Sequence, residues 1–262
     1  MRAPVDDVTR FWGLGSEATR LGTATAVRSS VAPALGLANY LYDLRPTTVA
    51  DLDRDLADWQ PGENARVVVE PDTPAWVEAE LLLRGWELEQ EYRLVLPAGT
   101  PPAGSARPVE VQRAAELDPN WSARGALFRL DHLEEDARHG DTARPQEATD
   151  AIVAHRRRLE QHAMYLGVEQ DGELAGFLCC WRTPEGRGVI EDVFVQSRHR
   201  RTGLASALVH GAVGLLRDQG CGDVTLAAEV GDTPVHLYRR LGFRPSQVVR
   251  SYPAPRPTRE RG

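Results

Sequence analysis

Lysine is absent from the sequence, so all 31 basic residues are arginine and no side chain carries a primary amine. This usage, with 23 glycine and 18 proline residues, is typical of a GC-rich bacterial genome. Positive charge is also scarce beside the 38 acidic residues, which leaves a formal net charge of -7. Because a protein that binds nucleic acid needs a basic surface to neutralise phosphates, we expect no nucleic-acid partner.

Long apolar segments and a cysteine framework are missing as well. The sequence has no run of about 18 apolar residues, so we expect no membrane span, and its opening residues lack the apolar core of a signal peptide. The three cysteines, Cys179, Cys180 and Cys221, show neither metal-ligand spacing nor the even count of a disulfide framework. We therefore expect a cytoplasmic protein with no metal site, in which Cys179 and Cys180 are buried in packing.

One clear break in composition divides the chain. The stretch from Pro97 to Pro108 is rich in proline, glycine, alanine and serine and has no periodicity, which is typical of a linker. The sequence thus predicts an N-terminal domain at 1–96, a linker at 97–107, a second domain at 108–253 and a flexible tail at 254–262.

The second half alternates short strands and helices. The predicted elements are a strand at 109–112, a helix at 146–162, strands at 164–169, 173–181 and 188–196, a helix at 203–217, a strand at 223–230, a helix at 234–241 and a strand at 247–252. Asp171 and Gly172 form a strong hairpin signal between the first two strands of the triplet. Strands joined this tightly must be antiparallel, so we expect an α/β (α+β) fold with a mixed, mostly antiparallel central sheet flanked by helices.

A phosphate-binding turn is the main chemical feature of this half. Residues 193–207 combine the end of an apolar strand, a basic turn and a helix that begins with small residues. The first N–H groups of a helix lack internal partners, and the helix dipole makes that end positive. Gly203 and Ala205 leave room for a phosphate against the backbone, and the arginines between 198 and 201 add charge.

The residues Arg200-Arg201-Thr202-Gly203-Leu204-Ala205 resemble the signature of the GNAT acetyltransferases: Gln or Arg, two variable residues, Gly, one variable residue, then Gly or Ala. The resemblance implies a GNAT fold in which this turn binds the pyrophosphate of acetyl-CoA and the preceding strand pairs with the pantetheine arm. The residues that it assigns to acyl-CoA binding are Val193, Phe194, Val195, Arg200, Arg201, Thr202, Gly203, Leu204, Ala205 and Ser206.

A second motif follows at the spacing usual for that family. Residues 236–243 resemble its closing motif, which is Leu-Tyr, three residues, then Gly-Phe. Together the two motifs extend the resemblance over about residues 108–253. Residues 10–15 match the first motif equally well, but the nine residues before them are too few to form the strands that present it. We interpret that match as chance.

The resemblance also implies the proton chemistry. Tyr238 matches a tyrosine that lies near the thioester sulfur, and a phenol can protonate the departing thiolate. Glu191 is the expected base, directly or through water, and Glu229 on the next strand is its rival. Regular alternation would send Asp192, beside Glu191, to the opposite face of the strand.

Two details complete the expected site. A backbone N–H near Phe194 and Val195, where the strand bulges in the family, would stabilise the oxyanion. The family often has asparagine seven residues before the tyrosine, whereas this chain has Gly231, so one contact of the family is missing or replaced here.

The first half resembles a degenerate copy of the second. Residues 65–86 form a strand, then Asp-Thr-Pro, then a helix that ends at glycine and an aromatic residue, as do the residues around 223–243. Leu81 occupies the place of Tyr238, and no phosphate turn precedes it. We therefore expect two GNAT-like domains in tandem, the first without cofactor. Residues 35–42, Phe11 and Trp12 would either line the acceptor cleft or pack in an ordinary core.

The functional hypothesis is an acyl-CoA-dependent N-acyltransferase that acts on a primary amine of a small molecule. A protein or peptide acetyltransferase and a non-catalytic acyl-CoA sensor or scaffold remain open. The acidic residues Asp131, Glu134, Glu135 and Asp136 would attract a cationic amine or form a solvated helix face. The partners are then acyl-CoA and the acceptor, with no membrane and no metal, in a monomer or homodimer.

Overall fold

The computed structural model describes residues 6–33, 35–60, 65–105, 107, 109–140 and 142–255. The chain forms two compact units, residues 1–91 with 248–262, and residues 92–247. The predicted boundaries at 96 and 108 differ from this division. Residues 92–96 are part of the C-terminal unit, and the end of the last strand returns to the N-terminal one.

The N-terminal unit is a layer of strands with helices. In chain order it contains α1 (Asp7–Trp12), β1 (Glu17–Arg20), β2 (Thr25–Arg28), β3 (Tyr40–Tyr42), α2 (Val49–Trp59), β4 (Arg66–Val69), α3 (Ala75–Leu83) and the first residues of β5 (Glu89–Leu96). Its strand order is β1-β2-β3-β4, followed by the end of the last strand of the chain. The β3–β4 pair is parallel, whereas β1–β2 and β2–β3 are antiparallel.

The aromatic residues proposed for a cleft wall lie in the core of this unit. Phe11 is fully buried, Trp12 and Tyr40 are nearly so, and the hydroxyl of Tyr40 donates to the carbonyl of Thr9 at 2.9 Å. These contacts support ordinary core packing. The chance match at 10–15 falls at the end of α1, where no helix begins to receive an anion.

The C-terminal unit carries the expected succession of elements. These are the rest of β5, β6 (Val111–Arg113), α4 (Ala114–Leu117), α5 (Ser122–His139), α6 (Gln146–Leu159), β7 (Met164–Gln170), β8 (Glu173–Arg182), β9 (Gly188–Val195), α7 (Leu204–Asp218), β10 (Val224–Glu229), α8 (Pro234–Arg240) and the start of β11 (Arg244–Pro253). The strand order is β11-β5-β10-β9-β8-β7-β6. The pairs from β6 to β9 are antiparallel and β9–β10 is parallel, which confirms the mixed sheet.

Local sequence explains these elements. Asp171 and Gly172 both have positive φ, +56° and +79°, so the β7–β8 hairpin closes as its sequence predicts. The apolar face of α7 packs on the sheet, where each buried leucine, such as Leu208 and Leu216, contributes about 2 kcal/mol. Helix α7 ends at Asp218, and Gly220, whose φ is +78°, follows its C-cap.

The stretch predicted as a linker is packed onto the C-terminal unit. The N–H of Ala103 donates to the carbonyl of Leu241 at 2.8 Å, and the N–H of Ala98 donates to Asp223 at 2.8 Å. Arg217 donates to the carbonyl of Pro97 at 2.7 Å. Composition predicts that the stretch is irregular. It does not predict these hydrogen bonds, because they join residues that are more than 100 positions apart. Of the predicted tail, Ala254 bonds to the carbonyl of Ala65, and residues 256–262 lie outside the described part.

The structure also bears on the cysteines and on the length of the helices. Cys179 and Cys180 are fully buried in the sheet and Cys221 is nearly so. Among the described helices, none is both long and apolar enough to cross a membrane.

Candidate active site

A gap between two parallel strands is the centre of the candidate site. The β9–β10 ladder pairs Gly188–Ile190 with Val224–Leu226 and goes no further in the described chain, although β9 runs to Val195 and β10 to Glu229. Beyond Ile190 the two strands are therefore not paired with each other in the described chain, and the backbone of Val193 to Val195 has no ladder partner on β10.

β9 bulges where this gap opens. Cys179 of β8 pairs with Glu191 and Phe177 pairs with Phe194, so Asp192 and Val193 oppose a single residue. Asp192 has a φ of +54°, the left-handed region that a residue with a Cβ rarely adopts. The sequence placed the irregularity near Phe194 and Val195, and the structure has it at the two preceding residues.

A glycine on β8 allows the strands to approach closely after the bulge. A Cβ at Gly176 would lie 2.7 Å from the carbonyl oxygen of Phe194 and 3.0 Å from the side chain of Val195. Val195 and Phe194 are buried, and Val193 is partly buried against the same core. This packing fixes the strand that leads into the basic turn.

The basic turn ends in an open helix N-terminus. Gly203 is the N-cap of α7 with φ +91°, and Arg201 before it has φ +63°. No side chain caps this helix within the described residues, so the N–H groups of Leu204, Ala205 and Ser206 have no side-chain acceptor. The turn itself is held by Thr202, whose hydroxyl donates to the carbonyl of His199 at 2.6 Å.

The arginines of the turn have different environments. Arg200 donates from Nε to the carbonyl of Val195 at 2.9 Å and pairs through Nη2 with Glu134 of α5. Arg198 pairs with Glu173. Arg201 is exposed and makes no hydrogen bond or ion pair with the described residues.

Arg107 is a basic neighbour of the turn that sequence reasoning missed. Its Nη1 donates to the carbonyl of Thr202 at 3.4 Å, and its Cβ lies 3.4 Å from where a Cβ on Gly203 would be. It belongs to the stretch interpreted as a linker, so no local signal connects it to a turn about 95 positions later.

Tyr238 is buried on α8, with 5% of its surface exposed, and packs against Phe243 at 6.3 Å between ring centroids. Burial raises the pKa of its phenol well above the usual value, and the carboxylates of Glu191 and Asp232 raise it further. The phenol therefore keeps its proton at neutral pH. Glu191, the expected base, is thus one of the charges that raise the pKa of the expected acid.

The neighbouring carboxylates have separate partners. Asp192 lies in a buried network with Arg156 and Tyr165, while Glu191 is half-buried. The rival base, Glu229, is 3.7 Å from His139 at the end of α5. Glu191 thus combines partial burial with an interaction with Tyr238.

The acidic residues of α5 are mostly paired rather than a solvated face. Arg144 holds Asp136 and Glu135 at 2.5 and 2.6 Å, while Glu134 pairs with Arg200. Asp131 is different. Burial raises the pKa of its carboxyl to about 7, and the charges of Glu135, Asp192 and Glu134 add to the effect.

Helix α5 connects both sides of the gap. Glu134 pairs with Arg200 beyond β9, and Arg138 donates to Asp232 beyond β10 at 3.0 Å. Asp131 lies one turn before Glu134 on the same helix, and Asp192 is among the charges that raise its pKa. No set of three or more potential metal ligands occurs in the described ranges.

Comparison with known proteins supports the resemblance. Residues 127–243 match the acetyltransferase (GNAT) family. Streptothricin acetyltransferase of Streptomyces lavendulae is 35% identical over 81 residues, which are 30% of this chain and 43% of that protein. A putative [ribosomal protein bS18]-alanine N-acetyltransferase of Bacillus subtilis (strain 168) is 27% identical over 92 residues, 35% of this chain and 60% of that protein. The matches thus span about half the length of these relatives.

A solved structure extends the similarity of fold to nearly the whole chain. A tandem GNAT protein from the clavulanic acid biosynthesis pathway aligns with 97% of this chain and 89% of its own, with a TM-score of 0.56 and 18% identity. This likeness concerns the fold alone, and it agrees with the expectation of two GNAT-like domains.

Proposed function

We propose that the chain, whose residues 127–243 match the acetyltransferase (GNAT) family, transfers an acetyl or other acyl group from CoA to the primary amine of a small molecule. The observation that carries the proposal is the gap between β9 and β10, which opens beside the uncapped start of α7.

These features fit acyl-CoA. An extended pantetheine arm needs unpaired strand backbone, which Val193 to Val195 supply opposite the end of the ladder. The pyrophosphate needs a backbone that it can approach and a positive end of a helix, which Gly203 and the first turn of α7 supply. Arg201 and Arg107 contribute charge at this point, whereas Arg200 would have to exchange Glu134 for phosphate.

Two residues handle protons in the proposed reaction. The amine nitrogen bonds to the acyl carbon, its proton passes to Glu191 directly or through water, and the carbon–sulfur bond breaks. Tyr238 donates its proton to the sulfur, and since its raised pKa keeps the phenol protonated, the donor is available at neutral pH. The strand N–H groups after the bulge stabilise negative charge on the acyl oxygen.

A cationic acceptor suits Asp131 of α5. Arg144 and Arg156 hold Glu135 and Asp192, whereas Asp131 makes no ion pair with the described residues and places negative charge there. An amine that carries further positive groups would be attracted there. The similarity to an enzyme named for streptothricin supports a small-molecule acceptor of this class.

A second candidate is acetylation of a protein N-terminus. The relative named for the alanine of a ribosomal protein supports it, since that match covers slightly more of this chain, 35% against 30%. Here the acidic surroundings would receive the α-amine and nearby basic side chains of a peptide.

The test is a transfer assay with acetyl-CoA that follows release of the CoA thiol. The acceptors are streptothricin, spermidine, free lysine and a peptide with N-terminal alanine. We expect turnover with at least one of the first three and little with the peptide. Turnover confined to the peptide would favour the second candidate. Acetyl-CoA binding without turnover on any acceptor would contradict the enzymatic proposal and favour an acyl-CoA sensor.

A further inference from the structure

The bulge of β9 depends on one residue in an unfavourable backbone conformation. Asp192 occupies the left-handed region, and with Val193 it opposes a single residue of β8. A non-glycine residue stays in this region only where its surroundings hold it there. Contacts to the side chain of Asp192 can hold it in this conformation.

Two buried groups from other elements hold that side chain. Tyr165 of β7 donates its hydroxyl to Oδ2 of Asp192 at 2.9 Å, and Nε of Arg156 on α6 lies 2.8 Å from the same oxygen. The side chains of Arg156 and Asp192 are only 5% and 9% exposed. Water screens a buried ion pair weakly, so the charge of Arg156 attracts this carboxylate strongly.

The constraint acts between the groups that the proposed reaction uses. Glu191 precedes Asp192 along the chain, and the N–H groups of Phe194 and Val195 follow the bulge. We propose that Arg156 and Tyr165 are positioning residues for acyl transfer, which hold Asp192 and thereby set the direction of Glu191 and of the strand N–H groups. The inference rests on the proposed function of this site.

The chain contains a matched control for this network. In the N-terminal unit, Glu78 accepts a hydrogen bond from Tyr252 at 2.7 Å and one from Nε of Arg250 at 2.7 Å. A carboxylate is again held by a tyrosine and an arginine, here in the unit that does not contain the proposed site. Loss of either tyrosine hydroxyl should weaken the fold similarly, and only loss of the one on Tyr165 should affect the reaction.

The experiment compares Tyr165→Phe, Asp192→Asn, Arg156→Lys and Tyr252→Phe with the wild type. Transfer is measured with acetyl-CoA and the best acceptor of the panel, acetyl-CoA affinity by calorimetry, and stability by thermal unfolding. We expect kcat to fall about tenfold in Tyr165→Phe and more in Asp192→Asn, because small displacements of reacting groups cost orders of magnitude. Acetyl-CoA affinity should fall less than kcat, since the pyrophosphate keeps its proposed contacts at the start of α7.

Arg156→Met is added as a fifth variant, which removes the cation beside Asp192. Arg156→Lys should keep more of the wild-type activity than Arg156→Met, because it retains a cation near Asp192. Equal kcat values in Tyr165→Phe, Tyr252→Phe and the wild type would overturn the inference and leave the network with a structural role.

Hydrogen exchange of the β9 amides provides a readout that does not need turnover. It should speed up in Tyr165→Phe and not in Tyr252→Phe, and unchanged exchange would also overturn the inference. Failure of the wild type to transfer would contradict the proposed function alone.

Discussion

The two units contain the same succession of helix, strand and helix, but the start of the first helix differs. In the N-terminal unit, α2 precedes β4, which is parallel to β3; in the C-terminal unit, α7 precedes β10, which is parallel to β9. Thr48 and Asp51 close the start of α2 with a capping box. The start of α7 has Gly203 and no side-chain cap in the described chain. A carboxylate thus caps the helix start in the N-terminal unit, whereas the start of α7 has no such side chain among the described residues.

Helices α3 and α8, which follow β4 and β10, end with the same backbone hydrogen bond but differ in one buried side chain. The N–H of Trp86 bonds to the carbonyl of Leu81 at 3.1 Å, and the N–H of Phe243 bonds to that of Tyr238 at 3.1 Å. Leu81 is fully buried and Tyr238 nearly so. A buried leucine thus holds in the N-terminal unit the position that the phenol holds in the C-terminal unit. The proposed chemical role would account for the phenol.

The largest predicted effect comes from making α7 resemble α2. Gly203→Glu places a carboxylate at the open helix start and a Cβ at φ +91°. We expect acetyl-CoA affinity to fall more than about 100-fold through steric and charge repulsion. Calorimetry measures it, with Gly85→Glu, at a left-handed glycine of the N-terminal unit, as the control that keeps wild-type affinity. Retained affinity in Gly203→Glu would move the phosphate site elsewhere.

The next effect comes from making α8 resemble α3. Tyr238→Phe keeps the ring and removes the proton donor, so kcat should fall about 100-fold with unchanged acetyl-CoA affinity. Tyr40→Phe removes a buried hydroxyl from the N-terminal unit and should lower stability by about 1 kcal/mol without a change in kcat. Unchanged turnover of Tyr238→Phe at neutral pH would exclude its role as acid.

An intermediate effect concerns Asp131 of α5, in the C-terminal unit. Its pKa of about 7 predicts that kcat/KM for a cationic acceptor falls as pH drops below 7, when the carboxyl becomes neutral. Asp131→Asn should lower kcat/KM about tenfold at pH 8, the loss of one close charge pair. The difference from the wild type should shrink toward pH 5. Parallel pH profiles of the two proteins would contradict this assignment.

The same residue links pH to stability. The folded-state pKa of Asp131 lies above its ordinary value of 3.8, so the folded protein binds the extra proton between these values. Its contribution to stability is therefore lost as pH rises from about 4 to 7. Urea unfolding should show Asp131→Asn to be more stable than the wild type at pH 8, with the gain absent near pH 4. A gain independent of pH would exclude this linkage.

The smallest effect comes from removing the N-terminal cap of α2. Thr48→Ala removes one half of its capping box and should lower stability by about 1 kcal/mol. It should create no acetyl-CoA site, because the N-terminal copy lacks the basic turn. Chemical unfolding and calorimetry measure the two quantities, and a second binding site in this variant would show that the cap alone separates the copies.

The sequence predicted the parts that local patterns determine. The strands from 164 to 196, the hairpin turn at Asp171, and helices α7 and α8 follow from periodicity and from glycine positions. The expected site residues of the turn and of α8 lie on these elements. Their roles in binding and catalysis stay predictions.

Long-range pairing determines what sequence reasoning missed. The ion pair of Arg156 with Asp192 joins residues 36 positions apart, and the left-handed Asp192 breaks the alternation on which its predicted direction depended. The apparent linker is held to Leu241 and Thr202 by contacts that no local composition reveals.

We propose one acyl-CoA site per chain, at the start of α7. Calorimetric titration with acetyl-CoA, CoA and longer acyl-CoAs counts the sites. We expect one site per chain in the wild type and none in Gly203→Glu. Two sites would show that the N-terminal unit also binds acyl-CoA, and no site in the wild type would exclude the proposed binding.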